Sequence, residues 1–176
     1  MDIRMIPVGR KPPEDINAVI EIPMNSDPIK YELSKKSSAM FVDRFLHTPM
    51  RYPDNYGFIP NTLSEDGDPI DVIVMTRIPV AVGSVIRSCP VGVFLMEDEK
   101  GRDEKIITVP HPSLNPYYKD IKSYTELPEM DIQKIENFFS HYKDLEKGKW
   151  VNVLGWQDAE AAKKLILEGI ERAREL

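Results

Sequence analysis

Through the first two thirds of the chain, apolar and polar residues alternate with a period of two. Asn17 to Pro23 reads as a strand, and Ile29 to Leu33 alternates strictly, with Lys30 and Glu32 on one face and Ile29, Tyr31 and Leu33 on the other. Asn25-Ser26-Asp27-Pro28 between them is a turn. Ala39 to Leu46 predicts another strand, in which Arg44 shares a face with Met40 and Val42. Met50 to Thr62, with its prolines and Gly57, reads as a loop carrying Tyr52 and Tyr56. A strand from Pro69 to Arg77 is followed by Val85 to Met96, where Pro90 and Gly92 predict a bend or bulge of the kind that closes a barrel. Glu97 to Lys105 reads as a charged hairpin turn leading into the strand Ile106 to Val109.

The period then changes to that of a helix. Asp131 to Lys147 carries Ile132, Ile135, Phe138, Phe139, Tyr142 and Leu145 at helical spacing, with Gly148 as the stop and Lys143 facing solvent. Trp150 to Leu154 is a short strand, and Asp158 caps a last helix whose Ala162, Leu165, Ile166, Gly169, Ile170 and Ala173 form one apolar face. Strands first and helices late predict an α+β architecture, mainly β, a barrel with helices beside it.

Chemistry concentrates in Asp66-Gly67-Asp68-Pro69-Ile70-Asp71-Val72, three carboxylates within six residues feeding an apolar strand. Such charges repel one another beside a buried strand unless cations sit between them, which points to hard divalent metals. A solvated turn is the plainer reading, since Asp-Gly and Asp-Pro are common turn pairs, but Asp71 is framed by apolar residues. An EF-hand is rejected: Asp71 stands where its glycine belongs and Arg77 where its last glutamate belongs. The second acidic run is a solvated loop or a metal site. Asp98 and Asp103 lie near strand ends and would meet Asp66 and Asp71 if the two hairpins are neighbours. Lys30, Glu32 and Arg44 alone read as a salt-bridged sheet face. Tyr52 and Tyr56 read as core-edge residues or as holders of phosphate.

Composition narrows the classes. A length of 176 residues, 41% hydrophobic and 30% charged, fits one globular domain spanning 1–176. The 29 acidic residues against 23 basic ones give a net charge of −6, which disfavours a non-specific nucleic-acid binder. Three histidines and one cysteine supply a zinc site poorly, whereas oxygen-ligated magnesium or manganese fits. Met1 to Pro7 is too short and charged for a signal peptide, no stretch approaches a membrane span, and the lone Cys89 suits a reducing cytoplasm.

These residues resemble the soluble family I inorganic pyrophosphatases of the bacterial type. Asp66 to Val72 matches that family's signature. Glu-Ile-Pro at 21–23, Asp-Pro-Ile-Lys-Tyr-Glu at 27–32, Val-Asp-Arg at 42–44, Tyr-Pro-Asp-Asn-Tyr-Gly at 52–57 and His-Tyr-Lys-Asp-Leu-Glu at 141–146 extend the match along nearly the whole chain. The resemblance implies an OB-like five-stranded β-barrel with flanking helices. It implies hydrolysis of inorganic diphosphate to two orthophosphates by a metal-bridged water or hydroxide, with several Mg2+ ions and Mn2+ or Zn2+ as substitutes. Asp66, Asp71, Asp98 and Asp103 would bind metal, Glu21 would assist through water, and Asp68 would be the general base. Lys30, Arg44, Tyr56, Tyr142 and Lys143 would hold the phosphates, with Lys105 and Tyr52 near them. A cytoplasmic homohexamer of paired trimers, with a contact around His141, follows from the same resemblance. Two other readings stay open: a barrel module that binds anions without catalysis, and hydrolysis of nucleotide diphosphate linkages.

Overall fold

In the computed structural model, which describes residues 2–175, five strands close into a ring; Met1 and Leu176, the ends of the expected domain, lie outside the described residues. The elements run β1 (Ile16–Ile22), β2 (Ile29–Leu33), β3 (Met40–Phe45), β4 (Asn55–Phe58), β5 (Asp71–Val74), β6 (Val85–Asp98), β7 (Gly101–Pro110), α1 (Glu129–His141), β8 (Val151–Asp158) and α2 (Ala159–Arg174). The order β1-β4-β5-β7-β6 returns to β1 through a β1–β6 pairing. This is the five-stranded closure expected of the barrel.

Closure rests on the bulge in β6. Ser88 and the three residues before it pair with β1, and from Gly92 onward the strand pairs with β8 instead. The register shift between Pro90 and Gly92, where proline has no N–H to give, lets one long strand serve both partners while β7 follows its other edge. β5 and β7 run parallel, with Asp71 opposite Lys105.

Strict alternation on β5 divides the apolar interior. Val72 and Val74 join Ile16, Ala18, Ile20 and Ile106 under Ala162, Ile166 and Ile170 of α2. Ile73 and Met75 face Phe94, Met96 and Ile107 under Ile135, Phe138 and Phe139 of α1. Each such buried side chain contributes about 1.5–3 kcal/mol of transfer free energy. On β4, a Cβ at Gly57 would collide with the Val19 carbonyl, so that strand can approach β1 only with glycine there. Asp158 caps α2 as expected, accepting a hydrogen bond from the Ala161 amide.

Several expectations need correction. The loop read over Met50 to Thr62 contains β4, fully buried and paired on both edges, because tertiary pairing overrides the local turn signals. The charged hairpin turn shrinks to Glu99 and Lys100, with Asp98 and Gly101 still paired across it. β8 continues to Asp158, past the expected end at Leu154. Helix α1 stops at His141 rather than running to Lys147, and residues beyond it form turns closed by Asp144 N to His141 O, Glu146 N to Lys143 O and Lys149 N to Glu146 O. Within these turns Tyr142, Lys143 and Glu146 are all buried. The apolar face read for β3 is also open to water, with Val42 53% exposed. Among the described residues no helix is long and apolar enough to cross a membrane.

Candidate active site

A polar cavity of about 350 Å³ opens at the end of the ring where β5 begins and the β6–β7 hairpin turns. Every site residue expected from the sequence lines it: Lys30, Arg44, Tyr56, Asp66, Asp68, Asp71, Asp98, Asp103, Tyr142 and Lys143. Glu21, Tyr52 and Lys105 line it as well.

The carboxylates come mainly from the ring. Lys105, two residues beyond Asp103 on β7 and opposite Asp71 in register, projects between the two. Its ammonium donates to Asp103 Oδ1 at 2.6 Å and to Asp71 Oδ2 at 2.5 Å, and lies 3.4 Å from the Tyr56 hydroxyl. Burial alone would push the lysine down, but Asp103 and Asp71 outweigh it and keep it protonated. Burial raises Asp103, with Asp71 adding to the rise against the pull of Lys105. Asp98, at the end of β6, accepts from Lys143 Nζ at 2.6 Å and from the Lys100 amide at 2.8 Å. Against the upward push of burial, these donors hold its carboxyl below the usual range.

Asp66 and Asp68 stand at the exposed mouth. Asp66 Oδ1 accepts the Asp68 amide at 3.0 Å, an Asx turn that fixes the acidic loop, and Lys35 reaches Asp68 Oδ1 at 3.0 Å. Glu21 is buried on β1, and its Oε1 accepts the Leu33 amide at 2.7 Å, tying β2 to the ring. Burial pushes its pKa up to about 8, against that hydrogen bond, and nearby Asp71 adds to the rise.

The cations come from elements added to the ring. β2 and β3 form a separate two-stranded sheet in which Lys30 and Arg44 are direct cross-strand partners. Two cations opposite one another need an anion between them. Here Asp43 serves, 3.4 Å from Lys30 and 2.9 Å from Arg44. Tyr142 and Lys143 come from the turn after α1. Lys143 is 7% exposed, not solvent-facing as its place in the helical pattern suggests. Tyr142 stacks on Phe138 and keeps its hydroxyl end in the cavity. Burial raises the Tyr52 and Tyr56 phenols well above their ordinary range, so both are donors at neutral pH.

Sequence reading underrates two residues. Lys105 lies at the centre of the carboxylates, and its i, i+2 relation to Asp103 on a strand is the signal for it. Glu146, 2.8 Å from Arg44 Nε, is hidden by the expectation of a continuous helix.

The donor set suits a hard divalent cation, being made of carboxylate oxygens with no sulfur and no imidazole. A cation already fits between Asp71 and Asp103, in the form of the Lys105 ammonium. Among the described residues no three Asp, Glu, His or Cys side chains close around one point.

A ring of this kind, with carboxylates and cations lining one polar cavity, suits an enzyme that handles a polyanion. The family model described as "Inorganic pyrophosphatase" matches residues 18–174. An inorganic pyrophosphatase from Rhodospirillum rubrum is 60% identical over 170 residues, covering 97% of this chain and 95% of that one. Among solved structures, the inorganic phosphatase from Anaplasma phagocytophilum superposes with a TM-score of 0.94 at 51% identity, covering 96% of this chain and 99% of the other. The inorganic pyrophosphatase from Thermus thermophilus gives 0.92 at 41% identity, covering 99% of each. The chain belongs to the inorganic pyrophosphatase family, whose members are metal-dependent. It is thus an inorganic diphosphatase, a hydrolase acting on a phosphoanhydride bond.

Proposed function

We propose that residues 1–176 act as one domain hydrolysing inorganic diphosphate to two orthophosphates, with Mg2+ held by Asp66, Asp71, Asp98 and Asp103 and Mn2+ or Zn2+ as weaker substitutes. The observation that carries this reading is one polar cavity lined both by the four aspartates and by the cations Lys30, Arg44, Lys105 and Lys143. Diphosphate is a polyanion that repels an incoming oxygen nucleophile, so both sets are needed. The dispersal of the four aspartates suits several ions held by pairs better than one ion held by all four. Bound divalent ions supply charge neutralisation and make water a better nucleophile, as zinc does when it lowers the pKa of water from about 15.7 to about 7.

The chain's own residues do the rest. Arg44 and Lys30 bind phosphate oxygens in the place that Asp43 now fills as a tethered anion, and Tyr56, Tyr142 and Lys143 donate to other phosphate oxygens. Lys105 and Tyr52 support them from within. The water oxygen forms the new P–O bond as the bridging P–O bond breaks, and Asp68, exposed at the mouth, takes the proton. The cations then stabilise the charge on the leaving phosphate. Resemblance to bacterial members supports a cytoplasmic homohexamer, which sedimentation would contradict by finding a monomer at micromolar concentration in magnesium.

Phosphate release tests the reaction directly. Diphosphate should be cleaved with magnesium and not in excess chelator, and the same assay on triphosphate and nucleoside diphosphates tests the alternative of nucleotide diphosphate hydrolysis. Full activity in chelator would overturn the metal roles, and a binding module would release nothing under either condition.

A further inference from the structure

The turn after α1 brings to Arg44 a buried carboxylate that is not one of the four aspartates. Glu146 has a side chain only 5% exposed, and its Oε1 stands 2.8 Å from Arg44 Nε and 3.1 Å from Lys149 Nζ. Gly148, at φ +79°, reverses the chain so that Lys149 meets the same oxygen as Arg44. Glu146 Oε2 is buried without a hydrogen-bond partner among the described residues, and Arg44 Nε meets Oε1 as an ion pair without an aligned hydrogen bond.

A buried carboxylate survives only against a cation, and its removal would leave Arg44 free to swing. Arginine presents a planar fork, so holding the Nε edge fixes the plane and leaves the terminal N–H groups for an anion. Nη1 of Arg44 already shows this, donating to Asp43 Oδ2 at 2.9 Å. The group of Arg44, Lys149 and Glu146 keeps one net positive charge, so the glutamate orients the arginine without abolishing its attraction for phosphate.

We propose that Glu146 is a positioning residue that aims the Arg44 guanidinium into the cavity, with Lys149 offsetting its charge. This rests on the reading of Arg44 as a phosphate contact. The test is a double-mutant cycle in the full chain, measuring kcat and KM for diphosphate at saturating magnesium for Arg44→Ala, Glu146→Ala and the double variant. Glu146→Ala should lower kcat/KM about tenfold, as expected for one misaimed charge-assisted hydrogen bond. In the Arg44→Ala background the same change should cost less than about twofold, because nothing remains to aim. Additive losses, or an unchanged kcat/KM in Glu146→Ala, would overturn the proposal. If Arg44→Ala alone loses nothing, the reading of Arg44 fails and Glu146 falls with it, a result visible in the single variant. Glu146→Gln keeps the shape and completes the cycle should Glu146→Ala not fold. A merely structural role would lower Tm and leave the losses additive.

Discussion

The two walls of the cavity are built differently. Asp71, Asp98 and Asp103 stand on strands of the closed ring, where each strand is held by hydrogen bonds on both edges. Lys30 and Arg44 stand on a separate two-stranded sheet, and Tyr142, Lys143 and Glu146 on a turn beyond a helix. Like charges crowded together need the stiffer frame, because any slack would let them part. The cations repel one another less acutely, each being matched to its own anion in Asp43, Glu146 or Asp98. The ring also carries a cation of its own, Lys105, between Asp71 and Asp103, whereas Asp66 and Asp68 stand exposed at the mouth.

The sharpest way to break this contrast is to remove the cation from the ring wall. Lys105→Met leaves Asp71 and Asp103 facing one another without a partner and should cost about 3 kcal/mol in urea unfolding with chelator present. If those aspartates hold metal, magnesium should narrow the gap between variant and wild type by mass action. A gap unchanged by magnesium would remove Asp71 and Asp103 from the metal set.

A smaller effect contrasts a buried carboxylate that has a lysine with one that has none. Asp98 is lowered by its donors, while burial raises Asp54 from 3.8 to about 7, with Asp131 adding to the rise and Lys134 too weak to cancel it. Because the folded pKa lies above the unfolded one, the stability this group contributes is complete below about pH 4 and is lost as pH rises to about 7. Asp54→Asn stays neutral throughout. Relative to wild type it should gain about 1–3 kcal/mol between pH 4 and 7 and hold that gain above. Equal pH dependence in the two proteins would show that Asp54 is not desolvated.

Part of the carboxylate set is legible in the sequence, because Asp66 to Asp71 is a compact constellation of like charges leading into an apolar strand. The bulge at Pro90 and Gly92 is legible too, since proline and glycine state their backbone needs locally. β4 is not, because Asn55 to Phe58 follows turn residues and becomes a strand only when β1 and β5 close on it. The turn after α1 is hidden for a related reason. Tyr142 continues the helical stripe, and only long-range partners such as Asp98 and Arg44 explain why Lys143 and Glu146 turn inward. Arg44 itself looks like part of a surface sheet until the fold brings Glu146 to it.

The proposed division of labour gives Asp71 the metal and Asp68 the proton, and magnesium titrations of Asp71→Asn and Asp68→Asn test it most directly. Asp71→Asn should recover a substantial part of its activity as magnesium rises. Asp68→Asn should bind magnesium nearly as wild type does and stay about 10²–10⁴-fold slow at saturation, with an altered acidic limb in its pH profile. Wild-type turnover in Asp68→Asn at high magnesium, with Asp71→Asn still inactive, would contradict the account.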